Sequence, residues 1–389
     1  MKLFDVCIRA FVKGNLGDDL FIDTLCRRYP DTKFVLCGES AYRRCFENIS
    51  NLTYVAYDTF LCRLIFRSLK LPIMVFNKIS KKLGWEKFLP YFGCEQFFQT
   101  VSKRNVLISG SIFMELPGMN FQMSPYYLGE VKYYKKHPYV IGCNFGPYYN
   151  EEYRQFYQKQ FENAGQVCFR EKHSFELFEG ENIQCGTDIL FSYPTKEYES
   201  PAQQGYVAIS VLDLNKDNEE DGEKAGQYVT AVSGLVQELL NRGEKIVLMG
   251  FCEAQRDNLV IDKVFEACHR SPEIIICNYP EKNYREMVGI LAGAKSIVST
   301  RYHGMILGWL YGKKVLPIIY SSKMQHVIDD AGLDIEVCNL LHNELRADSL
   351  ITAYDRMMND SYNIDIDALV EGAEMHFKKL DQELLQVGE

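Results

Sequence analysis

Lys295–Tyr320 reads KSIVSTRYHGMILGWLYGKKVLPIIY. KSIVST is a short β-branched run that reads as a strand. YHGMILGWLYG is nearly all apolar and reads as a buried helix, with Gly312 where that helix should stop. KKVLPIIY is a second strand-like run. Strand, helix and strand in close succession form a βαβ unit, which requires a parallel sheet with helices on its faces. Arg301 and His303 stand between the first strand and the helix. A permanent cation and a titratable imidazole at the mouth of a buried helix need a reason.

The same alternation extends upstream. YVAISVLDL (Tyr206–Leu214), KIVLMGF (Lys245–Phe251) and EIIICNY (Glu273–Tyr279) read as strands. Helical patterns around Val229–Asn241 and Gln255–Cys268, and one ending at LAGA, lie between them. KMQHVIDDAG supplies a further helix after Tyr320. The first half repeats the logic. LFDVCIRA leads through GNLGDDL into the helix FIDTLCRRY. KFVLCGE, LTYVAYD, NVLISGS, YVIGCNF, QVCFRE and CGTDILF read as further strands. SYPTKEYESPAQQG (Ser192–Gly205) is polar, carries two prolines and reads as a linker. The expected architecture is α/β: two Rossmann-like domains facing across a cleft, one over residues 1–195 and one over residues 203–344. A helical tail, residues 345–389, is expected to pack back on the first domain.

Composition narrows the function. The chain has 389 residues, 47% hydrophobic and 24% charged, which suits two ordinary globular domains. The net charge of −9, with no zinc-ligand spacing and no helix-turn-helix, argues against nucleic acid as a partner. Thirteen cysteines are scattered without a C-x-x-C pair and read as small buried hydrophobes in a reducing compartment. The N-terminus carries no signal-peptide pattern, and no apolar run approaches the ~20 residues of a spanning helix. A cytoplasmic protein is expected, with membrane contact only from the surface.

In parallel sheets, ligands bind at the carboxyl ends of the strands, where helix N-termini point. Arg301 and His303 occupy one such end, where they would make an anion site with a proton shuttle, or a surface cation and a capping histidine. Arg170 stands at another, in QVCFREKHS, with Glu171 as an alternative salt-bridge partner. Lys323 follows a strand and opens a helix, and would otherwise be a solvated lysine. GNLGDDL (Gly14–Leu20) follows the first strand. Gly14 and Gly17 permit close backbone approach, while Asn15 and Asp18 could bond a ligand hydroxyl or cap the helix. ISGSIFMEL has a small-residue turn at Ser111, then Glu115, a base or a favourable helix start. GCNFGPYYN places Asn144 at a tight turn.

Leu61–Pro90 stands apart. It holds seven Lys/Arg (Arg63, Arg67, Lys70, Lys78, Lys81, Lys82 and Lys87) against Glu86 alone, interleaved with large apolar residues. Such a segment can lie on an anionic membrane surface, or be a solvated helical face or an oligomer contact.

TRYHGMILGWLYGKKVLPIIYSSKM resembles the C-terminal signature of the polysaccharide pyruvyltransferase family. GNLGDDLFIDTL resembles its N-terminal glycine turn. ISGSIFMEL, IGCNFGPYY, CFREKHSFELF and GTDILFS fall in order between them. Ser109 stands where many relatives carry glycine, and Tyr302 where leucine is usual. The resemblance implies a GT-B-like fold and transfer of pyruvate from phosphoenolpyruvate onto two hydroxyls of a sugar, as a cyclic ketal, in surface or capsular polysaccharide synthesis. It implies that Arg170, Arg301 and His303 hold the donor. Lys323 completes the expected clamp, with Gly14, Asn15, Gly17, Ser111, Asn144 and Tyr302 as further substrate-binding residues. His303, Glu115 and Asp18 are the expected acid–base residues. No cofactor beyond the co-substrate phosphoenolpyruvate is expected, and no metal. The expected partners are phosphoenolpyruvate, a lipid-linked or nucleotide-linked sugar acceptor, an anionic membrane surface, with peripheral attachment at the inner face of the cytoplasmic membrane, and a second copy of the chain. A nucleotide-sugar glycosyltransferase, with Glu253 at the nucleotide, and a non-catalytic relative in a polysaccharide assembly complex are the rival readings.

Overall fold

The structure is a computed structural model. It describes residues 3–83, 93–116, 118, 137–195, 205–214, 222–341, 344–360 and 364–385.

Two parallel sheets carry the fold. The first is made of β1 (Phe4–Arg9), β2 (Phe34–Gly38), β3 (Leu52–Ala56), β4 (Ser102–Ile108), β5 (Tyr139–Cys143), β6 (Gln166–Phe169) and β7 (Ile183–Cys185), in the order β3-β2-β1-β4-β5-β6-β7. Its helices are α1 (Leu16–Arg28), α2 (Phe60–Lys82), α3 (Cys94–Val101), α4 (Glu151–Phe161) and α5 (Lys172–Glu176). The second sheet holds β8 (Tyr206–Val211), β9 (Lys245–Gly250), β10 (Ile274–Asn278), β11 (Ser296–Ser299), β12 (Lys314–Ile319) and β13 (Cys338–Asn339), in the order β10-β9-β8-β11-β12-β13. Its helices are α6 (Gly222–Asn241), α7 (Asp257–Ala267), α8 (Tyr284–Gly293), α9 (Tyr302–Leu310) and α10 (Ser322–Asp330). The tail forms α11 (Ala347–Asn359), α12 (Ile366–Glu374) and α13 (Lys378–Leu384).

Central strands such as FVLCG, YVIGC and YVAISV are almost wholly buried, because helices cover both faces of a parallel sheet. Each sheet grows in one direction from its first strand and then reverses. The reversals fall between β1 and β4 and between β8 and β11. Crevices open at the carboxyl ends of strands where such order reverses. Gly243 and Gly312 follow α6 and α9 with φ of +80° and +64°, conformations that favour glycine at a helix end.

α1 is buried on all sides from Leu16 to Cys26, three aspartates included. The second domain covers it. Leu16 N–H donates to the Phe251 carbonyl at 3.0 Å. Tyr279 donates its hydroxyl to Asp19 at 2.6 Å, and Tyr284 donates to Asp23 at 2.9 Å. Tyr193 reaches Asp23 from the other side at 3.2 Å. Buried carboxylates thus find phenols across the domain seam, which offsets part of the cost of burying them.

Two expectations change. CGTDILF is a strand only at its start. Asp188 then caps a 3-10 turn over Ile189–Ser192, its side chain accepting from Leu190 N–H. The tail divides: α11 packs on α6 in the second domain, where Arg242 pairs with Asp355. α12 and α13 return to the first domain, where Arg28 binds Glu374 and Asp381. Residues 196–204 of the expected linker and 84–90 of the basic segment lie outside the described residues.

Candidate active site

The site forms where the strand ends of the two sheets meet. β11 ends at Ser299, and Arg301 is the N-cap of α9, so His303 projects from its first turn. The imidazole enters the first domain. A Cβ on Gly17 would stand 1.6 Å from His303 Nδ1, so the glycine in the first turn of α1 is the seat for this ring. Phe21 closes on it edge-to-face at 5.1 Å. His303 Nε2 lies 3.3 Å from Arg170 Nη1. A guanidinium only donates, so Nε2 is the acceptor and the imidazole is neutral with its proton on Nδ1. Burial, with Arg170, Lys323 and Arg301 nearby, holds its pKa well below the ordinary value.

Arg170 follows β6 and is buried. Its Nη1 donates to Asp188 at 2.9 Å and its Nη2 to Asn144 Oδ1 at 2.8 Å. Its guanidinium lies 4.3 Å from the centre of the Tyr302 ring. Asp188 is therefore its carboxylate partner. Glu171 instead caps α5 by accepting from Ser174 N–H, and meets His326 of α10 at 3.1 Å. Lys323 is in the first turn of α10, with its Nζ 5.7 Å from the centre of the Tyr302 ring. Its Nζ donates to Ser111 Oγ at 3.4 Å, and Ser111 donates to Asn144 at 2.8 Å. Arg170, Asn144, Ser111 and Lys323 thus form one hydrogen-bonded line across the cleft, with His303 bonded to its first member.

Arg301 is placed differently. Its Nε donates to Asp257 at 2.9 Å, Nη2 donates to the other oxygen of the same carboxylate, and Nη1 bonds Gln255. The fork lies on the start of α7, where Asp257 also accepts from Phe251 and Cys252 N–H at 2.8 and 3.0 Å. Arg301 thereby ties the β11 end, from which His303 projects, to the neighbouring helix.

Asp18 is buried beside the line. It accepts from Ser109 Oγ at 2.8 Å and Gly110 N–H at 3.2 Å. Burial raises its carboxyl above the ordinary value, against the pull of these bonds and of Arg170 and Lys323. A Cβ on Gly110 would come within 3.1 Å of the Arg170 fork, so this turn passes close to the guanidinium. Asn15 caps α1 by accepting from Gly17 N–H at 3.1 Å, and Gly14 turns the chain at φ +64°. Both shape the turn. Glu115 accepts from the backbone N–H of Tyr149 and Asn150 at 2.6 and 2.9 Å and from the Asn150 amide. Those donors hold its carboxyl below the ordinary range, so it is a poor base and a good staple.

The cleft encloses about 990 Å³. Ser111, Asn144 and Lys323 stand on its wall, Tyr148 and Tyr149 line the first-domain side, and Tyr320 and Lys224 line the second. Sequence reasoning missed Asp188, Asp257 and this tyrosine wall. The one signal for Asp188 is an acidic residue directly before the apolar run ILF, an N-cap pattern. Chemically, the arrangement gathers a guanidinium, an ammonium, a neutral imidazole, an amide and a hydroxyl beside an aromatic, polar cleft.

Two parallel Rossmann-like sheets with a polar cluster between their facing strand ends define the GT-B-like architecture. Solved structures agree. The chain aligns with UDP-GlcNAc 2-epimerase of Methanocaldococcus jannaschii, in complex with UDP-GlcNAc and UDP, over 97% of its length and 99% of that chain, at TM-score 0.56 and 11% identity. It aligns with Anabaena Alr3699/HepE, in complex with UDP and glucose, over 100% of both chains, at TM-score 0.54 and 9% identity. At these identities the likeness concerns the fold. The family model for polysaccharide pyruvyl transferase matches residues 7–322, and the chain belongs to that family. It is also similar to the amylovoran biosynthesis protein AmsJ of Erwinia amylovora, 24% identical over 249 residues. That match spans 59% of this chain and 59% of the Erwinia protein.

Proposed function

We propose that the chain transfers pyruvate from phosphoenolpyruvate to two hydroxyls of a polysaccharide sugar, forming a cyclic ketal. One observation carries the reading. In a member of the pyruvyl transferase family, Arg170 of the first domain and His303 and Lys323 of the second converge on Tyr302, Asn144 and Ser111, the last two of which line the cleft. Phosphoenolpyruvate carries a phosphate and a carboxylate on a three-carbon frame. Guanidinium and ammonium donors suit both groups.

In this reading the donor lies against Arg170 and Lys323. Its negative charge counters the burial and the nearby cations that hold His303 neutral, and the imidazole takes up a proton. His303 then delivers that proton to the methylene carbon, which becomes a methyl group, while C2 becomes electrophilic. A sugar hydroxyl oxygen bonds to C2 and its proton passes to Asp18. The C2–O bond to phosphate breaks and phosphate leaves with the electron pair. The second hydroxyl oxygen bonds to C2, closing the ketal, and its proton passes to phosphate or water. Holding donor and both hydroxyls in one cleft supplies much of the rate. Tyr148 and Tyr149 offer the sugar an aromatic wall. Arg301 acts by fixing the strand end that carries His303.

The test is calorimetric titration of phosphoenolpyruvate and, separately, of a UDP-sugar, in two buffers of different ionisation heat. Phosphoenolpyruvate should bind with net proton uptake, and Lys323→Met should weaken it by about tenfold or more. Binding of the UDP-sugar without any binding of phosphoenolpyruvate would overturn the reading in favour of a nucleotide-sugar transferase.

A further inference from the structure

α2 carries, or lies directly beside, nine of the exposed large hydrophobic side chains. It runs for 23 residues, about 34 Å at the usual rise, and holds six Lys/Arg without a single Asp or Glu in a protein of net charge −9. It touches the body along one narrow stripe, Cys62, Phe66, Ile73 and Phe76, with Phe66 edge-to-face on Phe97 of α3. Nine of the nineteen large hydrophobic side chains exposed among the described residues fall between Phe60 and Leu83. Elsewhere they are scattered singly, which is ordinary; here they form a patch, which is not.

The arrangement around the helix is ordered. At about 3.6 residues per turn, the body-facing stripe gives way to an exposed apolar arc that includes Leu61, Ile65, Val75, Ile79 and Leu83. Beyond that arc runs a row of exposed cations, Arg63, Arg67, Lys78 and Lys82, interleaved with the exposed Phe60, Leu64, Leu71 and Met74. Apolar side chains beside a row of long basic ones suit the boundary between acyl chains and anionic headgroups. Next to the N-terminal half of α2, an apolar groove of about 410 Å³ continues the surface over Tyr54, Ile65, Phe66 and Phe98. No described helix is long and apolar enough to cross a membrane. A second copy of the chain would bring an equal row of cations against this one, and repulsion opposes that pairing.

We infer that α2 is a docking helix for an anionic phospholipid bilayer, its apolar arc sunk among the acyl chains and its cation row on the headgroups. α2 leaves the carboxyl end of β3, the end of the sheet at which the cleft opens. The inference stands on the helix and not on the transfer reaction.

The test is flotation of the full chain with phosphatidylglycerol vesicles and with phosphatidylcholine vesicles. The protein should float with the first and not with the second. The triple change Arg67→Glu, Lys78→Glu, Lys82→Glu should lower the bound fraction by about tenfold or more. The triple change Leu61→Ser, Ile65→Ser, Ile79→Ser should keep association at low salt and lose the part that survives ~0.5 M salt. All six positions are exposed, and unchanged melting curves would show that both variants fold. Absence of binding to phosphatidylglycerol, or binding indifferent to the charge reversal, would overturn the inference. So would a wild-type dimer in sedimentation that the serine variant dissociates, since α2 would then be covered by a second copy.

Discussion

The two domains meet in two ways. Along α1 they are sealed: Asp19 and Asp23 are buried and receive Tyr279 and Tyr284 from the second domain. Along the cleft they stand apart and are bridged by Lys323 on Ser111 and by His303 on Arg170. Both regions put charged groups between the same two bodies. In the seam each carboxylate finds a phenol and water is excluded. In the cleft Lys323 and Ser111 face a volume of about 990 Å³, while Arg170 is buried. The seam fixes the relative position of the sheets, and the cleft uses that fixed position to assemble a site from residues neither domain holds alone.

The strongest way to break this contrast is to remove a cleft cation. Arg170→Met should lower pyruvyl transfer by about 10²–10³-fold and, by leaving Asp188 buried and unpaired, cost about 3 kcal/mol of stability. The double variant Arg170→Met/Asp188→Asn should regain most of that stability in urea titrations and none of the activity.

Arg301 tests the other side of the contrast, a cation held inside one domain. Arg301→Met should also cost about 3 kcal/mol, because Asp257 loses both its charge-assisted bonds. Pairing it with Asp257→Asn should restore folding together with much of the phosphoenolpyruvate affinity. Affinity that stays lost in the refolded double variant would place Arg301 on the donor.

Gly17→Ala joins the two regions, since α1 belongs to the seam and its first turn seats His303. The new Cβ would collide with the imidazole. A cost of about 1–3 kcal/mol is expected, with a loss of turnover larger than any loss of donor binding. Separate measurement of kcat and KM checks the split.

Two smaller effects have opposite signs. Burial, with Asp18 alongside, raises the Asp19 carboxyl well above 3.8, so its contribution is full at low pH and is lost as pH rises through the folded value. Burial and nearby cations depress His303 below 6.5, so its contribution is full above 6.5 and is lost as pH falls through the folded value. Asp19→Asn should therefore gain on the wild type as pH rises. His303→Gln should gain on it as pH falls below 6.5. Chemical denaturation across pH reads both slopes. Tyr284→Phe, which removes one phenol from Asp23, should cost about 1 kcal/mol.

Strand and helix order was legible because buried parallel strands are short β-branched runs, as in SIVS and KVLPII, and glycines mark helix ends. The strand-end places of Arg170, Arg301 and Lys323 were legible because each follows a short apolar run and opens a helical pattern. The partner of Arg170 was not, because Asp188 sits in a segment whose apolar residues mimic a strand. The status of Glu115 was not, because its donors are backbone N–H groups 34 and 35 residues away.

The sequence by itself determined that this chain alternates strands and helices on two parallel sheets, belongs with the pyruvyl transferases, and holds cations at three strand ends. Periodicity and residue type are local properties, and they survive in one dimension. Only the tertiary structure decided which cation faces the cleft and which is paired inside a domain. It also decided that His303 is neutral and seated on Gly17, and that α1 is buried between two bodies. Those outcomes depend on desolvation and on which acid lies within hydrogen-bond reach, and both are set by residues far apart in the chain.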